Sequence, residues 1–175
     1  MLPAMKWNAL SEENCSLARA MAVVGDRWSL LILRDAFLRV RRFEDFESSL
    51  KIARRVLAER LAHLVAEGVL AKLPYQERPV RYEYRLTEKG LALYPALIAL
   101  VHWGDHYYAD ENGPPIIHRH RNCGHDFRSV MTCSACGEAL DPRDVDIRPG
   151  QPRQPASVIP ASRSRSRKAA TQSRT

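Results

Sequence analysis

The sequence contains few cysteines and no long apolar run. Cysteine occupies four of the 175 positions, and three of them fall within fourteen residues, which indicates a local metal or redox cluster rather than a disulfide framework. No stretch of about eighteen apolar residues could span a bilayer, and no basic start is followed by an apolar stretch and a cleavage site. We therefore expect a soluble protein of the cytoplasm that has no membrane partner.

Motifs typical of enzymes are also missing. The chain has no glycine-rich phosphate loop, no nucleophile elbow and no HExxH. The acidic stretch EDFE is better explained as the exposed side of a short helix than as an acid–base pair. A zinc enzyme would need a glutamate in an HxE or similar arrangement near the Cys/His-rich segment, and none is present. These absences favour a protein that is not an enzyme.

Positive charge is concentrated at one end of the chain. The net charge is +7, but residues 151–175 hold six basic residues and no acidic one, which leaves +1 for the preceding 150 residues. The composition of the segment 149–175, rich in Pro, Ser, Ala and Arg, predicts a disordered basic tail that aids solubility or loosely attracts DNA. The overall charge therefore does not by itself indicate that the folded part binds nucleic acid.

Four short helices are predicted before Gly68. Apolar residues recur every three or four positions in each of them, Asp26 can start the second helix, and Gly25 and Gly68 can end the first and the fourth. The apolar stripes consist of Leu17, Ala20, Met21 and Val24; the segment DRWSLLILRDAF; Phe43, Phe46 and Leu50; and Leu57, Leu61, Leu64 and Val65.

After Gly68 the period changes from that of a helix to that of a strand. Val80, Tyr82, Tyr84 and Leu86 alternate with charged residues, and the run from Val69 to Tyr75 forms a weaker partner. The link QERP between the two runs predicts a hairpin tip. Thr87 can cap a further helix, and a long apolar helix, interrupted near Pro95, follows. Short helices, a two-stranded ribbon and a final helix are the layout of a winged helix-turn-helix.

Five segments in a fixed order resemble the HxlR family of bacterial transcriptional regulators, relatives of the MarR group. They are CSLARAMAVVGDRWSLLILRDAF, RRFEDFESSL, VLAERLAHLVAEGVL, RYEYRLTEKG and LVHWGD, and they cover roughly residues 14–108. The resemblance implies a mainly α (α+β) fold: a winged helix-turn-helix with a two-stranded wing and extra N- and C-terminal dimerisation helices. It also implies a homodimer that binds double-stranded DNA.

The resemblance implies that the fourth helix lies in the DNA major groove. With its leucine side buried, this helix would present Arg55, Glu59, Ala62 and His63 outward. An arginine on the first turns of an exposed helix can bind guanine or grip a phosphate. The alternative is that the Arg55–Glu59 pair is a solvated surface pair that contributes little. The residues predicted to contact DNA on this helix are Arg54, Arg55, Ala58 and Glu59.

Further contacts are predicted on the wing and before the third helix. Arg78 and Arg81 flank the wing tip, and Arg41 and Arg42 precede the third helix. The resemblance makes Arg42, Arg78 and Arg81 contacts to phosphate or the minor groove, whereas the alternative makes them ordinary solvated charges. Ala53 stands where relatives usually place a Ser or Thr cap, so we expect the start of the fourth helix to be less firmly fixed.

Dimerisation is expected because one helix in one groove reads too few bases. A two-fold dimer places two such helices about 34 Å apart and requires a near-palindromic operator. The expected surface combines the first and last helices, and intramolecular packing is the alternative for its residues. The apolar residues of the last helix are Leu97, Ile98, Leu100, Val101, Trp103 and Tyr107.

Cys15 lies at the start of the first helix, where backbone amides favour the reactive thiolate form. It matches the amino-terminal cysteine with which several HxlR-type regulators sense oxidants or electrophiles. The alternative is a buried cysteine that acts as a small hydrophobe. We predict a redox-sensing role for Cys15.

The other three cysteines lie in a Cys/His-rich segment, HRHRNCGHDFRSVMTCSACGE. Cys133 and Cys136 form a CxxC followed by glycine, and Cys123 with Gly124 resembles a shortened knuckle. We predict a small zinc-ribbon-like module with Cys123, His125, Cys133 and Cys136 as zinc ligands. His118 or His120 is an alternative fourth ligand, and a redox dithiol or a metal-free remnant is the alternative to zinc.

The predicted organisation is an N-terminal arm (1–13), a winged-helix domain for DNA binding and dimerisation (14–110), a Cys/His-rich appendage (111–148) and the basic tail (149–175). The predicted function is that of a sequence-specific regulator, a repressor in most relatives, in the bacterial cytoplasm and associated with the nucleoid. It would respond to oxidants, electrophiles or a small-molecule effector. The alternative is a protein-interaction adaptor whose tail gives non-specific affinity for nucleic acid.

Overall fold

The computed structural model describes residues 10–11 and 14–150. Most of the predicted arm and nearly all of the predicted basic tail therefore lie outside the described residues. Within those ranges the chain is mainly helical, with one two-stranded sheet, and the predicted order of helices and wing is confirmed. The elements are α1 (Ser16–Val24), α2 (Arg27–Phe37), α3 (Phe43–Leu50), α4 (Arg54–Ala66), β1 (Leu70–Glu77), β2 (Val80–Leu86), α5 (Glu88–Leu91) and α6 (Tyr94–Tyr108).

The core lies where α2, α3, α4 and the base of the sheet meet. Leu57, Leu61 and Leu64, spaced three or four residues apart on α4, are fully buried. Each such leucine contributes about 1.5–3 kcal/mol through removal of apolar surface from water. The other buried members of this core are Val24, Ile32, Leu33, Phe46, Ile52, Val69 and Leu70. The predicted leucine stripe of α4 is therefore the side that faces the protein.

The first helix is buried less than its apolar stripe predicts. Val24 at its carboxyl end is buried, whereas Ala20 is exposed and Leu17 is 67% exposed. Contacts of α1 run to α2 and α4, so only its last turn reaches the core. The exposed part of the stripe, Leu17 and Ala20, leaves an apolar surface on the helix that was expected to contribute to a dimer contact.

Asp26 fixes the start of α2 and ties it to α4. Its Oδ1 accepts hydrogen bonds from the backbone N–H groups of Trp28 and Ser29, both at 3.0 Å. Its Oδ2 lies 3.6 Å from the guanidinium of Arg60 on α4. The cap thus satisfies two free amides of α2 and adds an ion pair between the two central helices.

Gly68 ends α4 and starts the wing. Its φ of +68° is a left-handed conformation that glycine adopts without steric cost. The N–H groups of Glu67, Gly68 and Val69 donate to the carbonyl oxygens of His63, Val65 and Leu64, which closes the helix end. The predicted stop at Gly68 is confirmed.

The wing is an antiparallel hairpin whose turn is shorter than predicted. Strands β1 and β2 pair from Leu70–Leu86 to Glu77–Val80, so the turn consists of Arg78 and Pro79 alone. A register irregularity between Pro74 and Gln76 leaves Tyr75 out of the ladder, at a site where proline cannot donate a hydrogen bond.

Burial along β2 is graded rather than uniform. Tyr84 and Leu86 near its base are half-buried, whereas Tyr82 and Val80 towards the tip are exposed. The prediction of a half-buried strand was therefore right only for the base, because the distal part extends past the core.

Thr87 caps α5 as predicted: its Oγ1 accepts from the N–H of Gly90 and donates to the carbonyl oxygen of Gly68. Pro95 lies in the first turn of α6, so it starts this helix instead of interrupting it, as its missing N–H allows.

The described residues after α6 form turns, isolated bridges and a 3-10 turn at Pro142–Asp144. None of the helices in the described ranges has the length and apolar content needed to cross a bilayer.

Candidate nucleic-acid interface

The exposed side of α4 carries three of the predicted contact residues, Arg55, Ala58 and Glu59. Arg55 Nε donates to Glu59 Oε1 at 2.9 Å, and the Arg55 side chain is 90% exposed. A solvated pair at this spacing stabilises a helix by only about 0.3–0.5 kcal/mol. The pair can therefore open at low cost when a stronger partner for the guanidinium arrives.

Arg54 anchors the beginning of α4. Ala53 occupies the N-cap position and supplies no side-chain hydrogen bond. The Arg54 guanidinium instead donates to Glu47 Oε2 at 2.8 Å and lies 4.6 Å from the ring centroid of Phe43. This contact ties α4 to α3 and partly compensates for the missing cap, so Arg54 positions the helix as well as adding charge.

Arg42 lies between α3 and the wing. Its guanidinium is 4.7 Å from the centroid of the Tyr75 ring, the residue that the strand irregularity leaves out of the ladder. The adjacent Arg41 carbonyl accepts from the Tyr84 N–H at 2.8 Å. The start of α3 is thus joined to the wing, and both Arg41 and Arg42 remain exposed.

The wing tip is exposed and basic, with Arg78 and Arg81 both at the surface. Gln76 Nε2 donates to the Arg78 carbonyl oxygen at 3.1 Å, which braces the turn. Val80 beside them is 56% exposed. An exposed tip with two guanidinium groups suits the phosphate backbone of a duplex.

A cleft of about 190 Å³ lies between α3, the first residue of α4 and the wing. Arg54 and Arg81 line it together with Lys72, whose ammonium lies 4.3 Å from the Tyr82 ring centroid. Lys72 was missed in the sequence, where it is one of several charged residues in a weak strand pattern. Burial, and next the negative charge of Glu44, raise the pKa of Tyr84 at the base of this cleft, so its hydroxyl stays protonated.

His63 does not belong to this surface. Its Nε2 lies 3.1 Å from the carbonyl oxygen of Val23, and its ring is half-buried between α4 and α1. A carbonyl can only accept, so Nε2 carries the proton in this contact. The prediction that His63 faces outward was wrong, because its side chain bonds to α1.

Cys15 is exposed at the N-cap position of α1, and its side chain makes no capping hydrogen bond. The alternative of a buried cysteine is therefore wrong. An accessible sulfur can react with an oxidant or electrophile. Exposure alone does not test sensing, and the sensing role of Cys15 stays a prediction.

The exposed aromatic residues of α6 form a continuous patch on its carboxyl half. Trp103 packs against Tyr107 and Tyr108 with ring centroids 5.4 Å apart in each pair. Trp103 is 52% exposed, and Leu100, Tyr107 and Tyr108 are exposed as well. Ile98, in contrast, is buried. Of the six residues expected at a dimer surface, Ile98 therefore packs within the chain.

A cleft of about 200 Å³ lies between α2, α6 and the start of the appendage. Its wall is largely apolar, including Phe37, Leu97 and Ile116, with Arg34 and Asp105 at its edge. This volume is below that of a typical ligand pocket. It could accommodate only a small effector.

His102 on α6 joins the appendage to the winged-helix core. Its Nδ1 accepts from the backbone N–H of Ser129 at 2.8 Å. Burial, and then the nearby His118 and Arg128, lower the pKa of His102 despite the opposing charge of Asp105. A neutral ring is what the accepted hydrogen bond requires.

The predicted zinc ligands lie in two separate turns. The backbone N–H of Cys136, and next that of Ala135, lower the pKa of Cys133 by hydrogen bonding to its sulfur, and the Cys136 side chain adds to the effect. Cys123 lies beside His120, whose Nδ1 is 3.3 Å from its sulfur. In the described part of the chain, no three His, Cys, Asp or Glu side chains converge as a metal site.

The fold and the exposed basic surface define a winged helix-turn-helix protein. The HxlR-like helix-turn-helix family matches residues 23–112, and the chain belongs to that family. It is an HTH-type transcriptional regulator and not an enzyme.

Similar proteins cover more of the chain than the family match does. The HTH-type transcriptional regulator Rv3095 of Mycobacterium tuberculosis is 45% identical over 79% of this chain and 87% of its own length. The solved structure of PA1607, described as a transcription factor, has a TM-score of 0.73 and 36% identity over 80% of this chain and 98% of that one. PA1374 of Pseudomonas aeruginosa has a TM-score of 0.55 and 37% identity over 83% of this chain and 96% of that one. These matches extend past α6 into the appendage.

Proposed function

We propose that the protein is a homodimeric repressor that binds a near-palindromic operator. Each subunit lays α4 in a major groove and sets the tip of its wing on the neighbouring phosphate backbone. The observation that supports this most is the division of α4: its leucine side is fully buried, whereas Arg55, Ala58 and Glu59 are exposed beside a basic wing.

Some charged residues of this surface contact DNA bases, and others contact the DNA phosphate backbone. Arg55 can leave its weak pair with Glu59 and form two parallel hydrogen bonds to a guanine. Arg42, Arg78 and Arg81 extend the surface towards phosphates on either side, and Arg54 holds the start of α4 in place. Ala58 leaves room for the helix to approach the base edges closely.

Dimerisation supplies the second half-site. The aromatic patch of α6 and the exposed Leu17 and Ala20 of α1 are apolar surfaces that a second copy would cover. Repression would follow from occupation of a promoter. Reaction at Cys15, or a small effector in the cleft between α2 and α6, would release the DNA by shifting the helices that join the two subunits.

The experiment is a gel shift with the DNA upstream of the protein's own coding sequence. A regulator that represses its own or a neighbouring promoter should bind a short palindrome there with a dissociation constant well below that for a scrambled duplex. Both duplexes are titrated at several salt concentrations, since counterion release raises all affinities at low salt.

A protein-interaction adaptor gives a different result. Its attraction to DNA would come from the basic tail, so retention would depend steeply on salt and be equal for the palindrome and the scrambled duplex. A variant cut after Pro149 separates the two cases: a regulator keeps its preference for the palindrome, whereas an adaptor loses DNA binding altogether.

A further inference from the structure

The appendage contains the same turn twice. In the first turn, the Gly124 N–H donates to the His120 carbonyl at 2.8 Å; in the second, the Gly137 N–H donates to the Cys133 carbonyl, also at 2.8 Å. Both glycines have positive φ, +71° and +79°, a conformation that side chains rarely adopt.

The hydrogen bonds that flank the two turns match as well. His120 N–H donates to the His125 carbonyl, and Cys133 N–H donates to the Glu138 carbonyl. An isolated bridge encloses each turn, Arg119–Asp126 around the first and Thr132–Ala139 around the second. Each atom pair of the first turn therefore recurs thirteen residues later in the second.

This equivalence identifies which side chains correspond. His120 takes the place of Cys133, and Cys123 takes the place of Cys136, which gives HxxCG and CxxCG. His125 corresponds to Glu138, the residue beyond the glycine whose carbonyl closes the turn, so it lies outside the donor pair. The contact between His120 Nδ1 and Cys123 Sγ, 3.3 Å, agrees with this assignment.

Each turn is built to present two soft donors. In each turn the two donors are three residues apart, and the second directly precedes the glycine of positive φ. All three cysteines are free, and Cys123 and Cys136 are exposed. Neither turn is a complete site by itself, since tetrahedral zinc requires four ligands and no three donors converge among the described residues.

We propose that the appendage binds one zinc ion between its two turns, through His120, Cys123, Cys133 and Cys136. The ion would close the turns on each other as a structural Cys₃His site, with three thiolates and one neutral imidazole. The segment that joins the turns includes Ser129, which is hydrogen-bonded to His102 of α6. Zinc would therefore also fix the appendage against the winged-helix core. His120 replaces His125 as the fourth ligand that the sequence predicted.

The test is metal content of the full chain, purified under reducing conditions from zinc-supplemented cells, together with visible absorption of the cobalt-substituted protein. We expect about one zinc per chain and a tetrahedral cobalt spectrum with thiolate charge transfer. His120→Ala should lower zinc affinity by about tenfold or more and change the cobalt spectrum. His125→Ala, the matched control two residues past Cys123, should leave both as in the wild type.

A second variant covers the case in which His120→Ala does not fold. His120→Cys should still bind one zinc and should strengthen the thiolate-to-cobalt absorption, because a fourth sulfur replaces nitrogen. The absence of zinc from the wild type would overturn the proposal, and a Cys133–Cys136 disulfide that forms once the reductant is removed would favour a redox dithiol. Loss of zinc in His125→Ala but not in His120→Ala would overturn the ligand assignment. None of these readouts depends on DNA binding.

Discussion

At the scale of single residues, the shape of the fold depends on close approaches that only certain residues allow. Gly90 is buried where α5 meets the base of the wing, and a Cβ built on it would lie 2.3 Å from the carbonyl oxygen of Val69. That oxygen belongs to backbone at the base of the wing and cannot move as a flexible side chain would. Gly150, in contrast, is exposed, and an added Cβ there would meet no non-neighbouring atom within 4 Å.

Gly90→Ala should therefore lower the free energy of unfolding by about 1–3 kcal/mol through overpacking. Gly150→Ala, its control, should leave stability unchanged because Gly150 is exposed and its added Cβ meets nothing. Urea denaturation at one protein concentration measures both. Equal stability of Gly90→Ala and the wild type would show that α5 does not pack against Val69 as described.

Cys15 should confer sensitivity to thiol reagents. Its sulfur is exposed at the start of α1, a helix that we place at the dimer surface. Diamide or an aldehyde should abolish operator binding by the wild type, whereas Cys15→Ser should retain it. Cys15→Ser without the reagent serves as the control, since it should bind the operator as the untreated wild type does. Equal release of DNA from the wild type and Cys15→Ser would exclude sensing at this residue.

Contacts between residues that are distant in sequence could not be predicted, whereas local helix caps and helix ends could. The Asp26, Gly68 and Thr87 signals were confirmed because caps and helix ends depend on neighbouring residues. His63 was assigned wrongly because its partner, the Val23 carbonyl, is forty residues away in sequence. The stacking of Arg42 on Tyr75 likewise could not be predicted, since it depends on how the wing folds back on α3.

At the scale of elements, α4 and the wing form one exposed surface. We assign contact with the bases to α4 and contact with the phosphate backbone to the wing. Periodicity was sufficient to place the helices and both strands, since apolar spacing records which side is buried. It could not show that the distal wing extends past the core, because an alternating pattern does not reveal how much of a strand packs against the rest of the protein. The exposure of the wing tip with Arg78 and Arg81 is therefore known only from the structure, and it leaves both side chains accessible to DNA.

Arg78→Ala should weaken binding to all duplexes about equally and reduce the slope of log affinity against log salt by about one unit. The physical reason is the loss of one phosphate contact and of its released counterion. Arg85→Ala is the control on the same hairpin, since Arg85 already pairs with Glu83 at 2.6 Å. Fluorescence anisotropy at four salt concentrations gives both slopes. An unchanged slope for Arg78→Ala would exclude the wing tip from the interface.

At the scale of the whole molecule, the proposed homodimer would link assembly to DNA recognition. The aromatic patch on α6 is an apolar surface that a single chain leaves in water, and a homodimer would bury it. Two copies related by a two-fold axis would also present two α4 helices to one face of the duplex. The sequence singled out the apolar residues of the last helix, and Leu100, Trp103 and Tyr107 are exposed, but it could not show that Ile98 is buried.

Trp103→Glu should shift the protein from dimer to monomer and weaken operator binding, because a charge would be buried at the subunit contact. Ile147→Glu is the control: Ile147 is 94% exposed in the appendage, so the same change should leave the dimer intact. Light scattering coupled to gel filtration gives the mass of each variant. A dimeric Trp103→Glu protein with unchanged affinity would place the subunit contact elsewhere.

The most direct test of the central claim, that the exposed start of α4 enters the duplex, is operator affinity of the Arg54→Ala/Arg55→Ala variant. The paired control is Arg143→Ala/Arg148→Ala, which removes the same charge from the appendage, and circular dichroism checks that both variants fold. We predict a loss of about 1–3 kcal/mol for each arginine that contacts a base, with a smaller preference for operator over scrambled duplex, and little change in the control. Tight, selective binding that survives alanine at both positions would contradict the claim.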